Sequence, residues 1–429
     1  MSDINSGSKK TCGNKSIKSS VIIFIFITLF SFSPLLAMIT ALVMILFIGA
    51  KSSEYSSLLI FMLSIYYILS ASIAVSGVEN FILRSDDFTA YYNEFIALRY
   101  NQGDLYDNIR FPEFGISLLN IFIGTFSDSN PYLIKTIYCI FLGLGVIYVI
   151  RVIKHRYGLT VFEYACLTVL TLVFCNWILV IQLSRQSFSV IFIFLAFLSK
   201  GKISKILFVF FAAIFHLSAL LLWPLYEFLL KPRTKREVKI IVPLLVLFSA
   251  IVLLIIPHIG GLFIGIPVLD KLDYTLRSFL DPDSIKNSIR TSLVISFYFI
   301  VLLVYDFLFG TRSSYEHEAR YRYTVMIIVA ILLCFSYLPS VNNRVLLGPA
   351  YIFTGFYYFH FIIKGREFYK AKSNIKLFSL FAFVTVLFSS KFIINSEDYS
   401  RYDLVGDKPF YYVEHLFEEK SYIERRFLR

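Results

Sequence analysis

Long apolar stretches alternate with short polar segments along the chain. Stretches of roughly twenty apolar residues recur from Val21 to Phe392, and an α-helix of about that length crosses the hydrocarbon core of a bilayer. A bilayer gives exposed backbone groups no hydrogen-bond partner, so such a chain crosses it as helices. The pattern predicts an all-α fold, a polytopic integral membrane helical bundle of about 11 to 13 membrane helices, including short hairpins, with periplasmic loops.

Clusters of lysine and arginine orient these spans, because such residues are enriched on the cytoplasmic side of a membrane. The clusters lie at residues 9–18, 151–156, 200–205, 231–239, 312–322 and 364–376. Between them the predicted spans are 57–76, 132–150, 160–181, 185–199, 238–257, 291–309, 324–340, 345–363 and 377–394. We therefore predict a multi-pass protein of the bacterial inner membrane with its active face outward.

The same topology predicts the domain organisation. Residues 1–20 form a cytoplasmic tail, residues 21–394 a single transmembrane domain, and residues 395–429 a tail that we expect in the periplasm. Two larger polar segments, at about 77–131 and 258–290, are predicted outer loops. The first of these is rich in aspartate and glutamate, which suits a translocated loop.

Two apolar runs do not fit a simple crossing. Residues 21–50 contain Pro34, and residues 206–230 have strongly basic segments at both ends. We predict that both runs are tight hairpins of short helices. For 206–230, both basic segments belong on the cytoplasmic side, so its turn should lie near His216 and Ser218. A single long tilted helix is the alternative.

Composition agrees with a membrane protein and excludes several function classes. Of the 429 residues, 57% are hydrophobic and only 16% charged, which is too apolar for a soluble protein. The formal charge of +12 lies mainly in short loops between spans, so nucleic-acid binding is not expected. The five cysteines show no metal or disulfide spacing, and no metal site or cofactor is predicted. The apolar run from Val21 to Ala50 is too long for a cleaved signal peptide and is expected to remain as an anchor.

Polar residues that a bilayer should exclude gather near the outer ends of the predicted spans. They are Arg84, Asp86, Asp87, Arg185, His216, Asn342, Asn343 and Arg344. Charge delivered by separate segments to one membrane face indicates an outward-facing site for an anionic, sugar-bearing lipid. Interfacial snorkelling beside lipid headgroups is the alternative.

Arg185 and His216 are the strongest candidates for chemistry. An arginine between two apolar spans costs several kcal/mol unless it is paired or hydrated, and its planar guanidinium can hold diphosphate oxygens bidentately. His216 is flanked by strongly apolar sequence and could accept a proton or, when charged, assist departure of a diphosphate. A buried histidine hydrogen-bonded to a neighbouring helix is the alternative for His216.

Asp87 and Arg344 are the further candidates. Asp87, with Asp86 beside it, precedes Tyr91, and a carboxylate near aromatic faces can orient or deprotonate a sugar hydroxyl. Solvent exposure is the alternative for both acids. Arg344 follows Asn343 at the start of a predicted span and could share the phosphate charge with Arg185.

Three segments resemble the EpsG-like branch of the Wzy-type O-antigen and exopolysaccharide polymerases. The segment from Asp87 to Phe95 resembles the family's Asp, Tyr, Phe block in the first outer loop. Arg185-Gln186-Ser187-Phe188-Ser189, followed after a basic turn by Phe215-His216-Leu217-Ser218-Ala219, resembles an Arg-Gln block and a Phe-His-x-Ser-Ala block. Phe188 and Ser189 depart from the more usual Leu and Ala, and the resemblance extends over roughly residues 57–363.

The resemblance implies a metal-independent membrane glycosyltransferase of polysaccharide or lipopolysaccharide biosynthesis. The donor would be a glycan on undecaprenyl diphosphate and the acceptor a lipid-linked oligosaccharide repeat unit, with a chain-length regulator protein as a possible partner. Arg185, His216 and Asp87 would be catalytic, and a larger set would bind substrate: Arg185, Arg344, Arg84, Asp86, Asn343, Gln186 and Tyr91. An O-antigen ligase and a lipid-linked oligosaccharide flippase are the alternatives.

Overall fold

The structure is a computed structural model. It describes residues 21, 24–25, 27–29, 34–45, 87–99, 113–127, 130–175, 180, 183–259, 282–309, 316–338 and 354–364. The predicted spans at 57–76 and 377–394 and both predicted tails lie outside these ranges.

Every regular element in the described ranges is a helix. The α-helices are α1 (Pro34–Met44), α2 (Asp87–Arg99), α3 (Gly115–Ser127), α4 (Pro131–Tyr157), α5 (Val161–Phe174), α6 (Ser184–Leu198), α7 (Lys202–Phe215), α8 (Ala219–Leu230), α9 (Lys235–Ile259), α10 (Pro282–Phe309) and α11 (Glu316–Cys334). A π-helix at Phe359–Lys364 follows further along the chain.

Several of these helices have the composition of membrane spans. Within the described ranges, the segments Leu133–Tyr157, Lys235–Ile255 and Pro282–Val304 are long and apolar enough to cross a bilayer. Shorter apolar helices accompany them, among them Val161–Phe174 and Ser184–Leu198. The predicted all-α, polytopic membrane fold is therefore confirmed.

The predicted hairpin at 206–230 is also confirmed. Helices α7 and α8 are separated by a turn at residues 216–218, and the Ala219 N–H donates to the His216 carbonyl oxygen at 2.9 Å. At the other end, Lys205 Nζ lies 2.9 Å from Glu227 Oε1 and joins the two helices. With 14 residues α7 rises only about 21 Å, less than the roughly 30 Å of a hydrocarbon core. A single tilted helix is thereby excluded.

Other boundaries differ from the prediction. Helix α10 begins at Pro282, whereas the sequence placed the start of this span at 291. Proline is well tolerated at the first helical position, and Ser288 extends the buried face by donating to the Ser336 carbonyl oxygen at 2.7 Å. Helix α11 ends at Cys334 and not at 340, and Ser249 Oγ donates to the Cys334 carbonyl oxygen at 2.6 Å.

The chain divides into two compact units. The first comprises Met1–Val169, Ile181–Ile191 and Lys391–Arg429, and the second comprises Leu170–Val180 and Phe192–Ser390. They are called unit 1 and unit 2 below.

Unit 1 contains α2, α3 and α4 together with the first turns of α6. Helices α2 and α3 lie within the segment predicted as an outer loop at 77–131, and α3 coincides with the half-apolar stretch from Phe114 to Phe126. Phe95 on α2 packs so closely on Gly124 of α3 that no Cβ would fit at this glycine. Arg99 Nη1 also donates to the Gly124 carbonyl oxygen at 3.3 Å. This part of the loop is thus a packed helix pair.

Unit 2 contains the hairpin and helices α9 to α11. Two of its basic segments are in contact. The Arg233 backbone N–H donates to the Arg320 carbonyl oxygen at 3.3 Å, and Thr324 Oγ1 donates to the Lys231 carbonyl oxygen at 3.0 Å. Gly355 lies against the backbone of Thr171, where an added Cβ would be 2.6 Å from the Thr171 Cα atom. Residues 231–233 and residues 320–324 therefore lie together at one end of this unit, which joins parts of two predicted cytoplasmic clusters.

Candidate functional site in unit 1

Helix α2 presents a buried aromatic face. Phe88, Tyr91, Tyr92 and Phe95 are each no more than 6% exposed, and their spacing of three or four residues puts them on one side of the helix. Phe88 and Tyr138 of α4 meet edge to face, with ring centroids 5.8 Å apart. The aromatic residues near Asp87 are thus part of a packed core.

Arg185 lies in the first turn of α6 and contacts this face. Its guanidinium carbon is 4.7 Å from the centroid of the Tyr91 ring, within the range of a cation–π interaction. Its Nη1 atom donates to Glu113 Oε2 at 2.7 Å. The side chains of Arg185 and Glu113 are only 15% and 8% exposed. The arginine is therefore held by a carboxylate and an aromatic ring, both largely shielded from water.

Burial decides what this ion pair contributes. Moving two charges out of water costs several kcal/mol per ion, and their attraction roughly offsets that cost when the geometry is good. Removing one partner of a buried pair typically costs about 3–5 kcal/mol, because the other charge is left uncompensated. Arg185 consequently depends on Glu113 for an opposite charge, and Tyr91 adds about 1–2 kcal/mol of cation–π attraction.

Asn120 of α3 supports the aromatic face from behind. Its Nδ2 atom donates to the Tyr91 carbonyl oxygen at 3.2 Å, and the Tyr138 hydroxyl donates to its Oδ1 atom. Asn120 is 1% exposed, so both hydrogen bonds are shielded from competing water. The position of Tyr91 relative to α3 and α4 is fixed as a result.

The guanidinium retains the means to bind an anion. It carries five N–H donors, and Glu113 is the partner at Nη1. Within the described part of the chain, the buried Nε atom of Arg185 makes no hydrogen bond. A guanidinium presents paired donors to phosphate or carboxylate oxygens, so this edge can receive an anionic ligand. Among the described residues, no three His, Cys, Asp or Glu side chains are grouped as a metal site would require.

The structure brings two of the predicted site residues, Arg185 and Tyr91, into contact. Gln186 follows Arg185 on α6 and is 4% exposed. Asp87 is the first residue of α2, one position before the buried Phe88; its side chain lies outside the described part. Residues 84, 86, 343 and 344 also lie outside it, so the roles predicted for Arg84, Asp86, Asn343 and Arg344 stay predictions.

His216 lies in unit 2, at the turn of the hairpin. It leaves the helical conformation with φ −154°, and its backbone N–H donates to the Ala212 carbonyl oxygen at 2.9 Å. The residue is 7% exposed, and the preceding Phe215 stacks on Phe192 with ring centroids 5.8 Å apart. The predicted position of His216 at the hairpin turn is confirmed, and its meeting with Arg185 stays a prediction.

Sequence reasoning did not single out Glu113. It is one of several acidic residues in the predicted outer loop at 77–131, and it directly precedes the half-apolar stretch that forms α3. The sequence did hold one signal for such a residue. Burying the Arg185 charge among apolar spans costs free energy, so a buried acidic partner had to be expected somewhere in the chain.

The helices and the buried ionic cluster define a polytopic helical membrane protein. The sequence model of the EpsG family matches residues 64–404 of the 429-residue chain, and the chain belongs to that family. The resemblance predicted from the Arg-Gln and Phe-His-x-Ser-Ala blocks is thereby confirmed, and the match continues beyond residue 363. The protein is an EpsG-family membrane protein linked to exopolysaccharide biosynthesis. No curated protein and no solved structure matches the chain.

Proposed function

We propose that the protein is a polysaccharide polymerase that acts at the periplasmic face of the inner membrane. It transfers a growing glycan from undecaprenyl diphosphate to a lipid-linked oligosaccharide repeat unit. The observation that carries this proposal is the buried cluster of Arg185, Glu113 and Tyr91. Its arginine is the first residue of the Arg-Gln block on which the family resemblance rests. Positioned arginines suit a reaction whose leaving group is an anionic diphosphate.

In the proposed reaction, a hydroxyl oxygen of the acceptor sugar attacks the anomeric carbon of the donor glycan. The bond between that carbon and the phosphate oxygen breaks, and undecaprenyl diphosphate leaves with the electron pair. Arg185 binds the diphosphate and stabilises the charge that develops on it. His216 or Asp87 takes the proton of the attacking hydroxyl. Arg344 shares the diphosphate charge.

Glu113 and Tyr91 have a supporting role in this mechanism. They hold the guanidinium in one orientation before substrate arrives, so that little reorganisation is needed when the leaving-group charge develops. The Glu113 carboxylate also balances the buried positive charge of Arg185 when no substrate is bound. The Glu113 carboxylate accepts a hydrogen bond from Nη1 of Arg185, which leaves the Nε edge of the guanidinium for the lipid diphosphate.

The test is the surface-glycan ladder of a strain that lacks the protein, complemented with variants at equal protein level. Wild type should restore long chains, and Arg185→Ala should leave a single repeat unit. Arg233→Ala is a matched control: its side chain is also 15% exposed, pairs with Glu237 at 3.0 Å and lies 3.9 Å from the Phe228 ring centroid. It belongs to the basic end of unit 2 and should retain long chains.

Three outcomes would contradict the proposal. Bare core with accumulated lipid-linked polymer in the deletion strain would identify a ligase. Loss of labelled glycolipid transport into vesicles, with polymerisation intact, would identify a flippase. Full-length polymer from Arg185→Ala would remove Arg185 from the reaction.

A further inference from the structure

Three helices of unit 1 each contribute one pair of residues, three positions apart, to a closed circuit of contacts. Helix α2 contributes Phe88 and Tyr91, α4 contributes Lys135 and Tyr138, and α6 contributes Arg185 and Phe188. Residues three apart on a helix are neighbours on its surface. Each helix therefore presents two adjacent side chains to the same small region.

The distances close this circuit. Lys135 Nζ lies 5.0 Å from the Phe88 ring centroid, as Arg185 lies over Tyr91 one turn further along α2. The Tyr138 ring meets Phe88 edge to face and meets Phe188 in the same way, with centroids 5.9 Å apart. Two cations are thus directed at neighbouring rings of a single helix.

Lys135 is unusual for its position in the membrane. It is 4% exposed and belongs to the candidate span Leu133–Tyr157, whose other end carries Lys154. Lys135 and Lys154 are separated by 19 positions, about 28 Å along a helix. The basic cluster at 151–156 assigns the Lys154 end to the cytoplasm, so Lys135 is at the end where lysine is disfavoured. Its burial also excludes simple snorkelling into water.

We propose that Lys135 is a second phosphate-binding cation of the Arg185 site and that the two together bind the diphosphate headgroup of the lipid donor. This inference rests on the proposed function and extends it to a residue of α4 that the sequence analysis did not single out. Lysine acts as a compact point charge and arginine as a planar fork, so the pair suits two linked phosphates better than either cation alone. Ionisable side chains buried in membrane spans are rare and costly, which makes Lys135 a candidate functional residue.

The test is equilibrium binding of two lipids to the purified full-length protein in detergent micelles. Undecaprenyl diphosphate and undecaprenol share the hydrocarbon chain and differ in the phosphates. Wild type should bind the diphosphate more tightly. Lys135→Met keeps an unbranched side chain beside Phe88 but removes the charge; it should weaken diphosphate binding about tenfold or more and leave undecaprenol binding unchanged. Lys135→Arg should restore most of the affinity.

The same helix provides a matched control. Lys154 Nζ lies 4.6 Å from the Tyr164 ring centroid, so it also makes a cation–π contact, but at the basic end of α4. Lys154→Met should bind both lipids as wild type does. A melting temperature for each variant separates loss of binding from loss of folded protein.

Two results would overturn the inference. One is a Lys135→Met variant that folds and binds undecaprenyl diphosphate as tightly as wild type does. The other is a wild-type protein that does not distinguish undecaprenyl diphosphate from undecaprenol. If the glycan ladder shows that the protein is not a polymerase while diphosphate binding still requires Lys135, the polymerase proposal fails and the lipid site stands.

Discussion

At the scale of single residues, the principal finding is that Arg185 is part of a buried pair. Glu113 holds the guanidinium at 2.7 Å and Tyr91 lies beneath it, so a substitution at any of the three affects the others. Arg185 thus has a structural contribution that must be separated from its proposed role in catalysis.

This pairing predicts non-additive effects on stability. Glu113→Ala leaves the Arg185 charge buried without that carboxylate and should lower the free energy of unfolding by about 3 kcal/mol or more. Arg185→Ala should be similarly destabilising. The double variant removes both charges, so it should be considerably more stable than the sum of the two single effects predicts. Thermal unfolding of the purified proteins measures all three.

The control for this cycle is Glu237→Ala combined with Arg233→Ala. Arg233 is as shielded as Arg185, but Glu237 is 39% exposed, so water screens this pair and its coupling should be weaker, about 0–1 kcal/mol. The interpretation fails if the Glu113 and Arg185 effects add as simply as those of the control pair.

The sequence predicted Arg185 but not its partner. Arginine in an apolar context is conspicuous in the chain, whereas a glutamate in a polar segment with seven other acidic residues and three arginines is not. Glu113 becomes the partner of Arg185 only because the start of α3 packs near the start of α6. That tertiary contact joins residues 72 positions apart, so the local sequence does not predict it.

At the scale of helices, the hairpin could be predicted and α2 could not. The basic residues on both sides of 206–230 required an even number of crossings, which is a strong constraint. The acids near Asp87 instead favoured a solvated loop. The helical spacing of Phe88, Tyr91, Tyr92 and Phe95 was present in the sequence, but α2 contains only 13 residues, too few for a span.

The close contact between Gly355 and α5 makes a prediction about helix packing. Gly355→Ala would put a Cβ 2.6 Å from the Thr171 Cα and 2.8 Å from its N atom. Backbone atoms cannot move aside as a flexible side chain can, so we expect the variant to lose about 1–3 kcal/mol of stability. The melting temperature in detergent measures the loss.

Gly201→Ala is the appropriate comparison. Its added Cβ would meet only Ser204 Oγ, at an ordinary contact distance of 3.5 Å. Equal melting temperatures for Gly355→Ala and wild type would contradict the packing described for Gly355.

At the scale of the whole molecule, charge governs orientation. The hairpin base, the start of α9 and the start of α11 carry basic residues at one end of unit 2. Lys205 and Lys231 flank Glu227 at 2.9 and 3.9 Å. The positive-inside rule assigns this end to the cytoplasm.

Cysteine labelling tests that assignment. In a cysteine-free background, Lys200→Cys and Lys235→Cys should react with a membrane-impermeant thiol reagent only after the inner membrane is opened. Ser421→Cys, in the tail predicted to be periplasmic, should react in intact spheroplasts. Labelling of Lys200→Cys in intact spheroplasts would show that the predicted orientation is wrong, and the predicted outward position of Arg185 would be wrong with it.

The short hairpin also has a consequence for biosynthesis. Helices α7 and α8 contain 14 and 12 residues, so neither is long enough to cross the bilayer alone. They must therefore enter the membrane together as the chain is made. Because the hairpin begins and ends on one side, deleting residues 202–230 in frame would leave the sidedness of every later helix unchanged. A chain of this kind could therefore gain or lose the hairpin during evolution without changing the orientation of its other helices.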